Sequence, residues 1–331
     1  MRTYLTNLIT LLLAIFFGMV VLWTVSKAPI IAIESFFLLP LRNFYFLSQI
    51  LVGAVPLIFT GLAAFCSFSA GVFNIGLEGQ LYFATLAGTF VALHLKGFQA
   101  VFFALLVAFI VGSAVASLSA FLKIKLNIDE LITTFLVSNG LIHVTNFLLN
   151  TYLRDPMAAL SATKYLHVEV LTIPGLNVHV GFLVAILLAI WLQMVFEKSV
   201  LGYQMRLVGG NVVFSRYAGI DVEKTWWIAF ALSGGLAALG GMVDVLAVHG
   251  RMIRGFSFGY GWNGIAVALL AKNKPFFVIF SALFFSYLET GAQIASIFAD
   301  VTPEIARLVQ ASVFYLVTAE ALASLKRRVS K

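Results

Sequence analysis

The chain has 331 residues, of which 61% are hydrophobic and 11% charged, and its formal net charge is +7. Soluble domains carry about 25% charged residues, so this composition cannot assemble a water-facing surface, and a soluble globular enzyme is excluded. A membrane helix takes about 20 mostly apolar residues, which gives room for about ten spans in one all-α polytopic membrane domain.

In chain order, apolar runs bounded by charges predict spans near 5–25, 44–66, 79–95, 99–121, 130–150, 179–197, 226–248, 256–271, 276–293 and 305–323. The first follows Arg2 as a signal peptide would. No small-residue cleavage site follows it and further spans do, so residues 1–43 read as a retained first helix and an outer loop. With both termini in the cytoplasm, thirteen of the 21 Lys and Arg fall on the inner side, among them Lys123, Lys125, Lys272, Lys274 and the tail Lys326-Arg327-Arg328. That asymmetry fits an even number of spans. Positive charge spread through short connections records membrane orientation and does not indicate a nucleic-acid partner.

Between the spans, Asn127-Ile128-Asp129-Glu130 reads as a capping box, with Asn127 as the cap and Glu130 three residues later. Two connections are long. Residues 151–178 lie outside, and residues 198–225 lie inside and carry Lys198, Arg206, Arg216, Asp221, Glu223 and Lys224. Within the inner one, Asn211 can cap a short helix over 212–218 that Gly219 ends. Such a loop is either a docking element or a solvated linker.

Enzyme motifs fail on context. Gly255-Phe256-Ser257-Phe258-Gly259 matches the nucleophile elbow, which needs a preceding strand and a His and an acid brought to the serine. Gly259 to Gly264 matches G-x-G-x-x-G without the flanking strand or the acidic residue about 20 positions on. No Gly-Lys dipeptide occurs, so the ATP-binding P-loop is absent. The five histidines show no metal-ligand spacing, and Cys66, the only cysteine, cannot form an intramolecular disulfide.

Polar residues in the apolar stretches are the more informative feature, because in bundles they usually face the interior or a water-filled path. The densest group runs from Ser67 to Gln80 and includes Asn74, Glu78 and three glycines. It predicts a broken or re-entrant segment near 66–78, tolerated only where protein or a cavity satisfies its backbone. If Asn74 caps the helix that follows, the first free amides there can serve a ligand; otherwise Asn74 and Glu78 merely cap an interfacial turn. A second group, Gly255 to Asn263, alternates glycines with aromatics, which suits either backbone approach to a planar ligand or close helix packing. Gly234, Gly235, Ala238, Gly240 and Gly241 give small-x-x-x-small spacing for tight helix contact. Asp244 and Glu289 lie inside spans, with Arg251 or Arg254 as candidate partners.

Three ordered stretches resemble one family. Val52 to Leu62 followed by Gly71 to Gln80, then Gly210-Asn211 with Arg216-Tyr217-Ala218-Gly219-Ile220, then Gly255 to Leu270, are similar to the permease subunits of bacterial ABC importers for nucleosides, simple sugars and branched-chain amino acids, most of all the nucleoside-type branch. Val212, Phe214 and Ser215 stand where members often carry a proline and two alanines, and Ser69 where a basic residue is common.

The resemblance implies a non-catalytic subunit in the bacterial cytoplasmic membrane, with residues 1–331 as one permease domain and 198–225 as its ATPase-docking loop. The chain itself would bind no cofactor. ATP and Mg would sit on two cytoplasmic ATPase subunits, and a second permease subunit, copy or paralogue, and an extracytoplasmic binding protein would complete the importer. It assigns coupling to Gly210, Asn211, Arg216, Tyr217, Ala218 and Gly219. The path would be lined by Phe73, Asn74, Glu78, Gln80, Trp262 and Asn263. The expected solute is a nucleoside or related heterocycle, with riboflavin or a simple sugar as the alternative. An ion-coupled transporter working through Glu78, Asp244 or Glu289 is the remaining class.

Overall fold

The computed structural model describes residues 15–257, 259–312 and 315. Helix α1 is Ile15–Val25. It is followed by α2 (Phe44–Ser69), α3 (Leu77–His94), α4 (Gly97–Leu126), α5 (Glu130–Leu148), α6 (Gly181–Lys198), α7 (Val200–Gly210), α8 (Val212–Tyr217), α9 (Val222–Asp244), α10 (Tyr260–Leu270) and α11 (Pro275–Phe298). Residues 303–312 are again helical. The start of the first expected span, the end of the last and the tail Lys326-Arg327-Arg328 lie outside the described residues.

Six described helices are long and apolar enough to cross a membrane: α2, α4, α5 with its π-helical end (Glu130–Leu153), α6, α9 with its π-helical end (Val222–His249), and α11. On that measure the expected count of about ten is not reached. The reason is visible in two of the others. α3 spends part of its 18 residues on Glu78, Gln80 and His94, and the 11 residues of α10 rise only about 16 Å against about 30 Å of hydrocarbon.

The chain divides into two compact units. One takes in the chain up to Ala54, Pro174–Val178 and the chain from Phe280 onward. Its core gathers Leu22, Phe36, Phe37, Leu288, Ala295 and Val309, tied by hydrogen bonds from the Tyr287 hydroxyl to the Phe37 carbonyl (2.7 Å) and from Ser286 Oγ to the Ile50 carbonyl (2.8 Å).

The other unit, Val55–Ile173 with His179–Ile279, is organised by small residues. Along α4, Ala100, Ala104, Ala108, Gly112, Ala116 and Ala120 are buried at every fourth position and form one ridge. Hydrocarbon gives helices no hydrophobic reason to associate, so close van der Waals approach must do it. A methyl group at Gly112 would stand 2.4 Å from the Gly234 carbonyl oxygen of α9, and one at Gly234 2.2 Å from the Gly112 carbonyl oxygen. α3 closes the trio, with Gly88 against the Ala104 carbonyl and Gly241 against Thr85. The packing role expected for Gly234 and Gly241 is thus met.

Two local readings are corrected. Asn127 does not open α5: it ends α4 in the left-handed conformation (φ 52°), and Asp129 is the cap, accepting from the Leu131 amide at 2.8 Å. Glu130 pairs instead with Lys123 at 2.6 Å. Asp244 meets His249 Nε2 at 3.2 Å, not an arginine; Arg251 lies over the Tyr165 ring.

Candidate functional site

The break between α2 and α3 occupies residues 70–76, shifted from the expected 66–78 because α2 continues to Ser69. Its cause is a glycine stop. Gly71 adopts φ 71°, its amide bonds the Phe68 carbonyl and the Val72 amide bonds the Ser67 carbonyl, the two bonds of a Schellman motif. The chain then runs irregularly through Asn74 to the start of α3 at Leu77.

Asn74 is fully buried and its carboxamide is fully used. Nδ2 donates to Gln80 Oε1 (2.8 Å) and Ser233 Oγ (3.0 Å), while Oδ1 accepts from Gln80 Nε2 (2.9 Å) and the Gly76 amide (3.1 Å). That accounts for two donors and two lone pairs. Gly76, which has no side chain, is the cap of α3. The amide of Gly79 is taken by Ser138 Oγ (2.8 Å) and that of Ile75 by Thr134 Oγ1 (3.3 Å), both from α5. Of the amides at the start of α3, those of the cap residue Gly76 and of Gly79 are thus already placed.

Glu78 ties this break to a second one. After α9 the chain passes through residues 250–259, where Gly250, Gly255 and Gly259 have φ of 65°, 73° and 87°, before α10 begins. The Glu78 carboxylate accepts from Ser257 Oγ (2.5 Å) and from the Gly261 amide (2.7 Å). Tyr82 adds a clasp, its hydroxyl accepting from the Gly255 amide (2.8 Å) and donating to Asn146 Oδ1 (2.9 Å). A methyl group at Gly261 would stand 2.2 Å from the Glu78 amide nitrogen, and one at Gly264 2.4 Å from Thr60 Cβ. So Gly261 and Gly264 serve close packing, whereas Gly255 and Gly259 serve left-handed backbone in open space. Ser257 donates to a carboxylate and is no nucleophile of the elbow type.

Of the six residues proposed to line a path, Asn74, Glu78 and Gln80 are buried and locked together or to Ser257 and Gly261. Phe73 (46% exposed) and Trp262 (42%) present rings outward, and Asn263 is half-buried. Phe73 packs on Phe68 with centroids 5.0 Å apart, and Trp262 meets Phe135 edge-on at 6.2 Å. Sequence reading missed Phe68, Phe135, Thr134, Ser138, Ser233 and Tyr82. Thr134 and Ser138 carried a signal, as polar residues one turn apart in an apolar span, but nothing in the sequence named their partners.

The inner segment forms as its residues predict. Asn211 caps α8 by accepting from the Phe214 amide at 2.9 Å. Gly219 (φ 77°) ends it, with Gly219 and Ile220 amides bonding the Arg216 and Ser215 carbonyls, the same stop as at Gly71. Asp221 then caps α9 through the Lys224 amide. Gly210 and Arg216 are exposed and Ala218 closes the last turn. Val213, Phe214 and Tyr217 stand out into solvent, Tyr217 at 90% exposure.

Both flanks of this segment touch the break. Before it, a methyl group at Gly209 would stand 2.3 Å from the Ser69 carbonyl oxygen. After it, Trp226 Nε1 donates to the Ala70 carbonyl at 3.2 Å, with Lys123 Nζ 4.8 Å above the same ring. Asn273 Nδ2 adds a bond to Ser69 Oγ at 3.1 Å. The turn 69–71 is thus a joint between an exposed apolar helix and the buried break.

These features belong to a membrane transport protein, and the family is shown by sequence: the model described as branched-chain amino acid transport system / permease component matches residues 46–318. The chain belongs to that family and is a non-catalytic ABC transporter permease subunit, with ATP hydrolysis left to partner ATPases. It is 33% identical to a glucose ABC transporter permease of Haloferax volcanii, over 96% of this chain and 88% of that one. It is 30% identical to a protein named as a probable riboflavin import permease of Treponema pallidum, over 97% and 86%. To a guanosine ABC transporter permease of Bacillus subtilis it is 30% identical, over 82% and 81%.

Proposed function

We propose that the chain forms the translocation path of an ABC importer for a nucleoside or a related heterocyclic solute, residues 1–331 acting as one permease domain. The observation that carries this reading is the joint at residues 69–71, where Gly209 and Trp226 bring both ends of the segment around α8 onto the break. Two cytoplasmic ATPase subunits, holding ATP and Mg, press on Val213, Phe214 and Tyr217, and the joint passes the displacement to the break. A second permease subunit, copy or paralogue, closes the path, and an extracytoplasmic binding protein delivers the solute.

Phe73, Trp262 and Asn263 meet the solute in this reading, with Asn74, Glu78 and Gln80 holding the break behind them. Outward rings suit a planar heterocycle, whose faces stack and whose edges take hydrogen bonds. Riboflavin or a simple sugar is the second reading, favoured by the names of two relatives. The segments α1, α3, α10 and 303–312 bring to about ten the helices embedded in the bacterial cytoplasmic membrane, α10 entering it without spanning it, with both termini inside.

Reconstitution with the partner ATPases and binding protein tests the proposal. Labelled nucleoside should accumulate only with ATP. Uptake that proceeds equally without ATP, or that collapses with an ionophore and survives ATPase inactivation, would refute it; preference for riboflavin or glucose would select the second reading.

A further inference from the structure

A groove of about 630 Å³ lies where α6 ends, α7 passes and α11 begins, and one of its lining residues, Asn273, also bonds Ser69 at the turn before the first break. Two of its walls are the ends of membrane-length helices, joined by a hydrogen bond from the Phe276 amide to Gln193 Oε1 at 3.2 Å. The groove therefore sits at the level where α6 and α11 leave the apolar layer. On the bilayer side its lining is apolar: Phe276 and Phe277 belong to it and are exposed, and Trp191 and Met194 of α6, outside the groove itself, are exposed as well.

On the water side the groove carries three cations, Arg206, Lys272 and Lys274, against one carboxylate, Glu197. That carboxylate already accepts from Gln193 Nε2 at 2.5 Å. The cations are held inward by aromatic faces, Arg206 at 5.0 Å over Phe196 and Lys274 at 5.9 Å over Phe277. Arg206 also donates to the Phe196 carbonyl, which leaves most of its five donors for another acceptor. A net positive recess beneath an exposed aromatic wall matches a molecule with an anionic head and hydrocarbon tails. A soluble anion would find the charge but no use for Trp191, Met194 and Phe277.

We propose that this groove is a binding site for the phosphodiester headgroup of an anionic phospholipid, with Arg206 and Lys272 as its principal contacts and the acyl chains lying along α6. The test is native mass spectrometry of the full chain in non-ionic detergent, titrated with phosphatidylglycerol or with phosphatidylcholine. Phosphatidylglycerol should be retained preferentially. The double variant Arg206→Gln/Lys272→Gln should lose that preference by about tenfold, while Arg206→Lys and the distant Lys164→Gln should keep it, each variant eluting as the same single species. Equal retention of the two lipids, or unchanged phosphatidylglycerol binding in the double variant, would overturn the proposal. So would complete displacement of the lipid by excess inorganic phosphate, which would assign the cations to a free anion. Loss of ATPase assembly in the double variant with lipid binding intact would overturn it in favour of a protein contact.

Discussion

Gly209→Ala is the sharpest perturbation of the joint. Its methyl group would lie 2.3 Å from the Ser69 carbonyl oxygen and 3.1 Å from the Gly71 nitrogen, where ordinary contact begins at 3.4 Å. All of these are backbone atoms, so no rotamer change relieves the clash, and α7 must withdraw from the turn by about 1 Å. Overpacking costs about 1–3 kcal/mol, and a clash met only by backbone falls in the upper part of that range, about 2–3 kcal/mol, of which alanine returns about 1 kcal/mol by its preference for helix. The net, about 1–2 kcal/mol, is a factor of about 5 to 30 in an equilibrium. Because the displaced contact is the proposed link between α8 and the break, the loss should appear as solute transported per ATP hydrolysed. ATP turnover and assembly with the ATPases should hold. The control is a helix glycine outside the coupling segment: a methyl group at Gly140 meets nothing within 4 Å, so Gly140→Ala should behave as wild type. Equal coupling in Gly209→Ala and wild type, or equal damage from Gly140→Ala, would refute the reasoning.

Other expectations follow from the same geometry. Glu78→Gln weakens two hydrogen bonds made to a charged acceptor, and at about 1.5–3 kcal/mol for such a bond it should lower the midpoint of thermal unfolding in detergent, with Ser257→Ala costing less; an unchanged midpoint would remove Glu78 as the tie between the breaks. Asn74→Ala strands Gln80 and Ser233 in the interior and should destabilise by about 2–3 kcal/mol, whereas Trp262→Ala should change uptake kinetics with little effect on unfolding. The Ser26 hydroxyl and then the Lys27 amide hold the Asp300 carboxyl below the usual carboxylate range. Its stabilising contribution is therefore present above the unfolded pKa and lost as pH falls through the lower folded one. Protection of the Lys27 amide, taken relative to its intrinsic exchange rate at each pH, should fall on acidification across that window, and Asp300→Asn should abolish that change in protection.

What could be read beforehand were features with a local cause. Asn211, Gly219 and the six-residue helix between them follow from cap chemistry within nine residues. The stop at Gly71 has the same chemistry, but the segment predicted to break near 66–78 breaks only from residue 70, because Ser67 and Ser69 in α2 are polar without being irregular: Ser67 Oγ bonds back to the Ala64 carbonyl. At the α4–α5 turn, two residues that both make good caps compete, and asparagine's tolerance of left-handed backbone sends Asn127 to the end of α4 and leaves Asp129 to open α5. The partners of Glu78 lie about 180 residues away in the chain and those of Asn74 on α3 and α9, so no spacing could announce them. Gly209 looks in sequence like any helix glycine. Only the contact with Ser69 distinguishes it from Gly210.

The full use of the Asn74 carboxamide, and the buried bonds that Gln80 and Glu78 make, constrain how such a path can recognise anything. A group held this way turns to a solute most readily by breaking a buried bond, and each bond broken without replacement costs about 1–3 kcal/mol. The polar residues that mark the break in the sequence are thus poorly suited to discriminate solutes, and well suited to keep two irregular segments rigid against each other. In the proposed path, discrimination would fall to the partly exposed groups, the rings of Phe73 and Trp262 and the half-buried Asn263. Exchanging those rings should redirect preference among solutes without loosening the clasp of Glu78 on Ser257 and Gly261. A ring substitution that lowered the unfolding midpoint as much as Glu78→Gln would show that recognition and rigidity are not separated in this way.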